Sequence, residues 1–121
     1  MFSEMVEPKN IAKLPEFFDP QFELIANGVT QDYDTFLRGH EKIYQTAITY
    51  AVEVEETTVV ECGDRIAARV FITTTMPGEA AHEIEVLMIA QLKEGRIRNL
   101  WELTRPDWTQ VDTFKEHYLE S

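Results

Sequence analysis

Ile84-Glu85-Val86-Leu87-Met88-Ile89-Ala90-Gln91-Leu92, then Lys93-Glu94-Gly95, then Arg96-Ile97-Arg98-Asn99-Leu100-Trp101-Glu102-Leu103-Thr104, is the stretch that decides the fold. Two apolar-rich runs of strand length flank a tripeptide whose glycine can take the left-handed backbone conformation that a short hairpin loop needs, so the stretch predicts an antiparallel hairpin. Upstream, Arg65 to Thr75 is β-branched, and Met76-Pro77-Gly78-Glu79 turns the chain toward Ile84. Ile48 to Val60 is rich in Thr, Val and Tyr, and Cys62-Gly63-Asp64 supplies another turn. Four long strands joined by short turns predict an antiparallel meander.

Before the meander the period changes. Asp32 is a helix cap, and Phe36, His40, Ile43 and Ala47 follow at helical spacing, with Leu37 and Tyr44 beside the stripe. This predicts an amphipathic helix over 33–46, with Gly39 marking a place where something packs closely. Phe22 to Ala26, ending in Asn27-Gly28, reads as a short strand and turn. The first residues carry apolar positions at Phe2, Met5, Val6, Ile11, Leu14, Phe17 and Phe18, interrupted by Pro8 and Pro15, which predicts two short helical pieces. After Arg105-Pro106-Asp107, Thr109 and Asp112 form a capping pair, and Val111, Phe114 and Tyr118 share a face, predicting a closing helix over 109–119.

Composition bounds the function. The 121 residues suit a single α+β domain, 1–121, with 44% hydrophobic and 27% charged residues. A formal net charge of -11, with Arg65, Arg69, Arg96, Arg98 and Arg105 scattered among acids, argues against nucleic acid as a partner. Met1 to Asn10 holds no apolar run, so neither a signal peptide nor a membrane anchor is expected there. The one cysteine, Cys62, excludes an internal disulfide; it reads as a small buried hydrophobe at a strand end, and the compartment expected is the cytoplasm. His40, His82 and His117 are far apart in sequence and form no metal-ligand motif, and no glycine-rich phosphate loop is present, so neither a metal nor a cofactor is expected.

In order, a leading helical segment, a second helix, a strand opening Gly63-Asp64-Arg65-Ile66-Ala67-Ala68-Arg69-Val70 and a last long strand reading Glu94-Gly95-Arg96-Ile97-Arg98-Asn99-Leu100-Trp101-Glu102-Leu103 resemble the SnoaL-like branch of the nuclear transport factor 2-like superfamily. The resemblance runs from about Phe17 to Trp108 and rests on the ordered combination. It implies a cystatin-like cone: N-terminal helices packed on a strongly curved antiparallel sheet, a short C-terminal helix, a pocket between sheet and helices, and a homodimer through the sheet. The superfamily includes polyketide cyclases, ketosteroid isomerases, dehydratases and non-enzymatic binders, so the fold does not choose among them. Here the usual long first helix is short and broken by prolines, which leaves the pocket mouth open or covered by a partner chain.

Two residues are candidates for proton handling. His40 lies mid-stripe on the helix and points toward the sheet, either as an imidazole titrating near neutral pH or as a hydrogen-bonded core residue. Glu102 stands where the resemblance implies the acid/base Asp of SnoaL-like cyclases, with a longer arm, and an apolar cavity would raise its pKa toward neutrality. Alternation groups Leu100, Glu102 and Thr104 on one face, and Asn99, Trp101 and Leu103 on the other. Only one set lines a pocket, and a bulge would exchange them. Tyr33, Tyr44 and Tyr50 are candidate phenolic donors, Trp101 a ligand-stacking or core aromatic, and Arg69 with Glu85 either a ligand grip inside the cone or a charge pair on the open sheet face.

Two functions follow. One is a cofactor-independent isomerase, cyclase or dehydratase for a small hydrophobic carbonyl compound, which requires Glu102 and His40 to enter one cavity. The other is a non-catalytic ligand-binding or dimeric interaction module, with Glu102 facing solvent or a partner.

Overall fold

The computed structural model describes residues 2–107. A π-helical turn at Phe2–Val6 is followed by a 3-10 turn at Ile11–Lys13 that runs directly into α1, Leu14–Phe17. Pro8 separates the two helical pieces. Pro15, by contrast, lies in the first turn of α1, where a missing N–H leaves no bond unmade, so it begins a helix and does not interrupt one.

The remaining elements are β1 (Phe18–Ala26), β2 (Val29–Asp32), α2 (Tyr33–Tyr44), β3 (Thr49–Cys62), β4 (Arg65–Thr75), β5 (His82–Lys93) and β6 (Arg96–Arg105). The meander β3-β4-β5-β6 is antiparallel throughout, as the turn chemistry predicts. Three features differ from the sequence reading. β1 starts at Phe18, not Phe22, and β2 is a strand too short to carry a period of its own. β1 also pairs parallel to β6, giving the order β2-β1-β6-β5-β4-β3, a contact that no local pattern encodes. The closing helix expected over 109–119 lies outside the described residues.

Asn27 and Gly28 both have positive φ, 50° and 83°, the pair that lets a two-residue connection match the twist of β1 and β2. The sheet is curved, and α2 and the N-terminal turns pack on its inner face. One buried cluster joins Met5, Leu14, Phe18, Phe22, Phe36 and Leu100; the other joins Ile43, Ile48, Val70, Ile84 and Val86. Gly39 is buried on α2, consistent with the close approach expected there. Cys62 closes β3 but is exposed, so its reading as a buried hydrophobe is corrected: β3 runs as the sheet edge, and among the described residues nothing covers its far end. Among the described residues no helix is long and apolar enough to cross a membrane.

Candidate active site

The phase of α2 is set at its start. Asp32 Oδ1 accepts from the Thr35 N–H at 2.8 Å, closing the first turn. From there, steps of four residues stack Phe36, His40 and Tyr44 along one side of the helix, since side chains at i and i+4 lie one above the other. Their rings meet edge to face: Phe36 to His40 at 4.1 Å and His40 to Tyr44 at 5.4 Å between centroids. Phe18 and Phe22 each lie 4.9 Å from Phe36 at one end of the row, and Tyr50 of β3 lies 5.9 Å from Tyr44 at the other.

Facing this row is β6. A bulge does occur in it, at the step where Gln91 pairs with Asn99 and Leu92 with Ile97. The extra residue is upstream of Leu100, so the alternation from Asn99 onward is unbroken. Leu100, Glu102 and Thr104 therefore form the inner set, and all three line a cavity of about 140 Å³ beneath α2. Asn27 holds that end of the strand. Its N–H donates to the Glu102 carbonyl at 3.1 Å, its Nδ2 donates to Thr104 Oγ1 at 2.6 Å and Asp107 Oδ1 at 3.2 Å, and its Oδ1 accepts from the Thr104 N–H at 3.0 Å. The β1–β2 turn is thus tied by its side chain to the strand carrying Glu102.

Glu102 and His40 line the same cavity, together with Tyr44, Tyr50, Gln31 and Thr104, against a wall that is otherwise apolar. No lysine or arginine is among the described lining residues. Burial acts on the Glu102 carboxyl and lifts it to about 7. Burial pushes His40 the other way, to about 4, opposed in part by the bond between its Nδ1 and the Phe36 carbonyl at 2.9 Å. A carbonyl only accepts, so Nδ1 carries the proton and Nε2 is the basic position of a ring that is uncharged at neutral pH. Of the two readings of His40, this surrounding favours the hydrogen-bonded core residue, and it is the Glu102 carboxyl that burial brings near neutrality. Burial also raises the Tyr44 and Tyr50 phenols, which stay neutral donors.

The other candidates lie elsewhere. Tyr33, at the first turn of α2, packs half-buried against the phenylalanine cluster and does not line the cavity. Trp101 is on the outer face, with the Arg65 guanidinium 5.8 Å above its ring. Arg69 and Glu85 do pair, but on the outer face: Nε donates to Glu85 Oε2 at 2.7 Å, and Nη1 donates to Glu55 Oε2 at 2.7 Å. Arg105 Nη2 adds a contact to Glu85 Oε1 at 3.1 Å. The register sets this arrangement, since Glu55, Arg69, Leu87 and Leu103 lie in one cross-strand row and Glu85 stands one diagonal away. Arg69, Glu85 and Trp101 therefore do not line this cavity; Arg69 and Trp101 border another, more open concavity of about 510 Å³ on the outer face. Sequence reasoning missed Gln31 and the clamp at Asn27; the Asn-Gly dipeptide signalled only a turn. No group of three metal-ligating side chains converges among the described residues.

No protein-family model matches the chain, and no curated protein matches it in sequence. Solved structures do match in shape. IdmH from Streptomyces antibioticus superposes with a TM-score of 0.68 at 18% identity, covering 94% of this chain and 93% of its own. An LEH-like epoxide hydrolase of M. tuberculosis gives 0.72 at 10% identity, covering 98% and 84%. A SnoaL-like polyketide cyclase from Agrobacterium tumefaciens gives 0.66 at 18%, covering 85% and 84%. The fold is the nuclear transport factor 2-like fold that these structures share.

Proposed function

We propose that this chain is a cofactor-independent acid/base catalyst that isomerises, cyclises or dehydrates a small hydrophobic carbonyl compound. The observation that carries the reading is a carboxyl, Glu102, on the inner face of β6 in an apolar cavity, where burial pushes it up to about 7. Such a group is part carboxylate and part acid at neutral pH, so it can take a proton from the carbon beside a carbonyl and return it to another position. The enolate formed between those steps needs a hydrogen-bond donor at its oxygen, a role that suits the neutral phenol of Tyr50. His40, held by its Nδ1 bond to the Phe36 carbonyl, adds an uncharged ring to the same wall. Shape similarity to a SnoaL-like polyketide cyclase is consistent with this chemistry but does not choose the reaction.

The test is proton exchange at the carbon beside the carbonyl of small cyclic ketones in deuterated buffer, followed by NMR. Wild-type protein is expected to accelerate exchange, and Glu102→Gln to lower that acceleration by about 10²- to 10⁴-fold, the usual contribution of a general acid/base. Equal exchange with and without protein, for ligands that a thermal-shift screen shows to bind, would sink the catalytic reading.

A second reading, a non-catalytic dimeric binding module, is favoured by the outer face. Leu87, Ile89 and Leu103 are 50%, 45% and 64% exposed there and adjoin Trp101 in register, a row that a second copy of the chain would cover. The two readings are compatible in a homodimer with one inner cavity per subunit, acting as a single-domain protein in the cytoplasm.

A further inference from the structure

Gln31 is a buried polar residue to which the proposed acid/base chemistry gives no task. It lies on β2 and pairs with Leu24 of β1, and Leu24 pairs in turn with Leu100 of β6. All three line the inner cavity, so the Gln31 side chain belongs to the inner face. The residue is only 4% exposed, yet its carboxamide makes no hydrogen bond to the described residues. An amide head group carries two donors and an acceptor, and buried groups of this kind are as a rule paired, because an unmet one costs stability. The Tyr44 hydroxyl is sealed off by its packing, whereas the Gln31 amide keeps accessible surface, which the half-open cavity reaches. A hydroxyl or a carbonyl satisfies such an amide. A carboxylate finds no opposite charge there, since no lysine or arginine is among the described lining residues.

Register separates Gln31 from Glu102. Glu102 pairs with Ala26 and Ala26 with Val29, so Gln31 stands two strands across from Glu102 and two residues along. Strand spacings of about 4.8 Å and residue steps of about 3.3 Å put the two backbones roughly 12 Å apart. Side chains stand roughly perpendicular to their sheet, so the two head groups meet a ligand at two separate points.

We propose that Gln31 is a specificity residue whose amide binds an uncharged hydroxyl or carbonyl oxygen of the substrate, remote from the carbonyl whose neighbouring carbon Glu102 serves. The substrate class is then a compound with two oxygen functions several bonds apart, and not a simple ketone. This rests on the inner cavity being the ligand site of the proposed function.

The experiment is titration by calorimetry and protein-observed NMR at pH 6.5 with matched probes: 1-tetralone, its 5-, 6- and 7-hydroxy derivatives and its 6-carboxylate. Wild-type protein is expected to bind at least one hydroxytetralone about fivefold to tenfold more tightly than 1-tetralone, the scale of one neutral hydrogen bond, and the carboxylate no more tightly than 1-tetralone. Gln31→Met keeps the length of the side chain and removes the amide. It should erase the hydroxyl preference, leave 1-tetralone affinity unchanged, and melt at the same temperature as wild type or above it, since an unpaired buried amide is gone. The unchanged 1-tetralone affinity shows that the variant's cavity is intact, and the wild-type preference is read without any variant. No hydroxyl preference in wild type, a preference that survives in Gln31→Met, a carboxylate that binds as tightly as the best hydroxytetralone, or no binding by any probe would each overturn the proposal. A Gln31-dependent preference without proton exchange beside the tetralone carbonyl would support it while defeating the catalytic reading; exchange without the preference would do the reverse.

Discussion

Glu85 and Glu102 stand on neighbouring strands of one sheet, facing opposite ways. Glu85 looks outward, where Arg69 and Arg105 each reach one of its oxygens, and the hydrogen bond from Arg69 holds its carboxyl below the usual range. Glu102 looks inward, where no cation meets it among the described residues, and burial lifts it to about 7. Same side chain, same sheet and opposite electrostatics: the first is locked as a carboxylate, while the second exchanges its proton at physiological pH. What makes a carboxyl chemically useful here is therefore the withholding of a partner, a condition the outer face does not meet.

That contrast breaks or sharpens under pH. An acid with a raised folded pKa binds its proton more tightly in the native state, so native stability falls as pH climbs from the ordinary carboxyl value of 4.5 to about 7 and stays reduced above it. Glu102→Gln removes this loss. The variant should gain about 3 kcal/mol over wild type at pH 8 and nothing near pH 4, measured by urea unfolding across that range. A flat difference across pH would show that Glu102 is solvated and end the comparison.

His40 supplies the mirror image on the same inner face. A base with a depressed folded pKa resists a proton that the unfolded chain accepts, so stability falls as pH drops from 6.5 toward 4. His40→Phe keeps a ring between Phe36 and Tyr44 and should abolish that acid-side loss, a gain of up to about 3 kcal/mol near pH 4 and little at pH 8. The same unfolding series reads it, and wild-type behaviour in the variant would place the ring in water.

Asn27→Ala tests how the inner carboxyl is held. Its side chain makes bonds to Thr104 and Asp107, and its backbone has positive φ, so the variant should lose about 2 kcal/mol of stability. Amide exchange protection along residues 102–104 should fall more than along β4. Equal losses in both strands would mean that the clamp is not local.

The smallest effect belongs to the outer carboxyl. Glu85→Gln should lower the unfolding midpoint only slightly at low salt, with the difference shrinking in high salt and also as pH falls, because a lowered carboxyl stabilises only while it is ionised. Its pH trend is thus opposite in sign to that of Glu102→Gln. A large, salt-independent loss would show that the outer network is structural in its own right.

Much of this architecture is legible in the residues. The turns at Gly63, Gly78 and Gly95, with β-branched runs between them, mark out the meander, and Asp32 with Phe36 and His40 marks α2 and its inward side. Glu102 was legible as a candidate because it alternates with Trp101 on a strand that resembles a known pattern. Which of the two faced inward was not, since one bulged residue reverses the answer, and the bulge falls upstream of the site for reasons of pairing with β5. The sequence reading placed Tyr33 and Trp101 with the ligand because aromatic side chains suit a pocket and a boundary equally well. Their separation from the cavity depends on the turn of α2 and the face of β6 they occupy.

By itself, then, the sequence determined the local elements, because strand alternation, helical spacing and turn residues act over a few neighbours. It also determined the chain's charge and the residue types available for chemistry. Tertiary structure alone decided that β1 lies parallel to β6, that Asn27 clamps the strand of Glu102, and that Glu102 is denied the arginines its neighbour Glu85 receives. The physical reason is that a proton affinity belongs to a surrounding, and that surrounding is assembled from residues far apart in the chain.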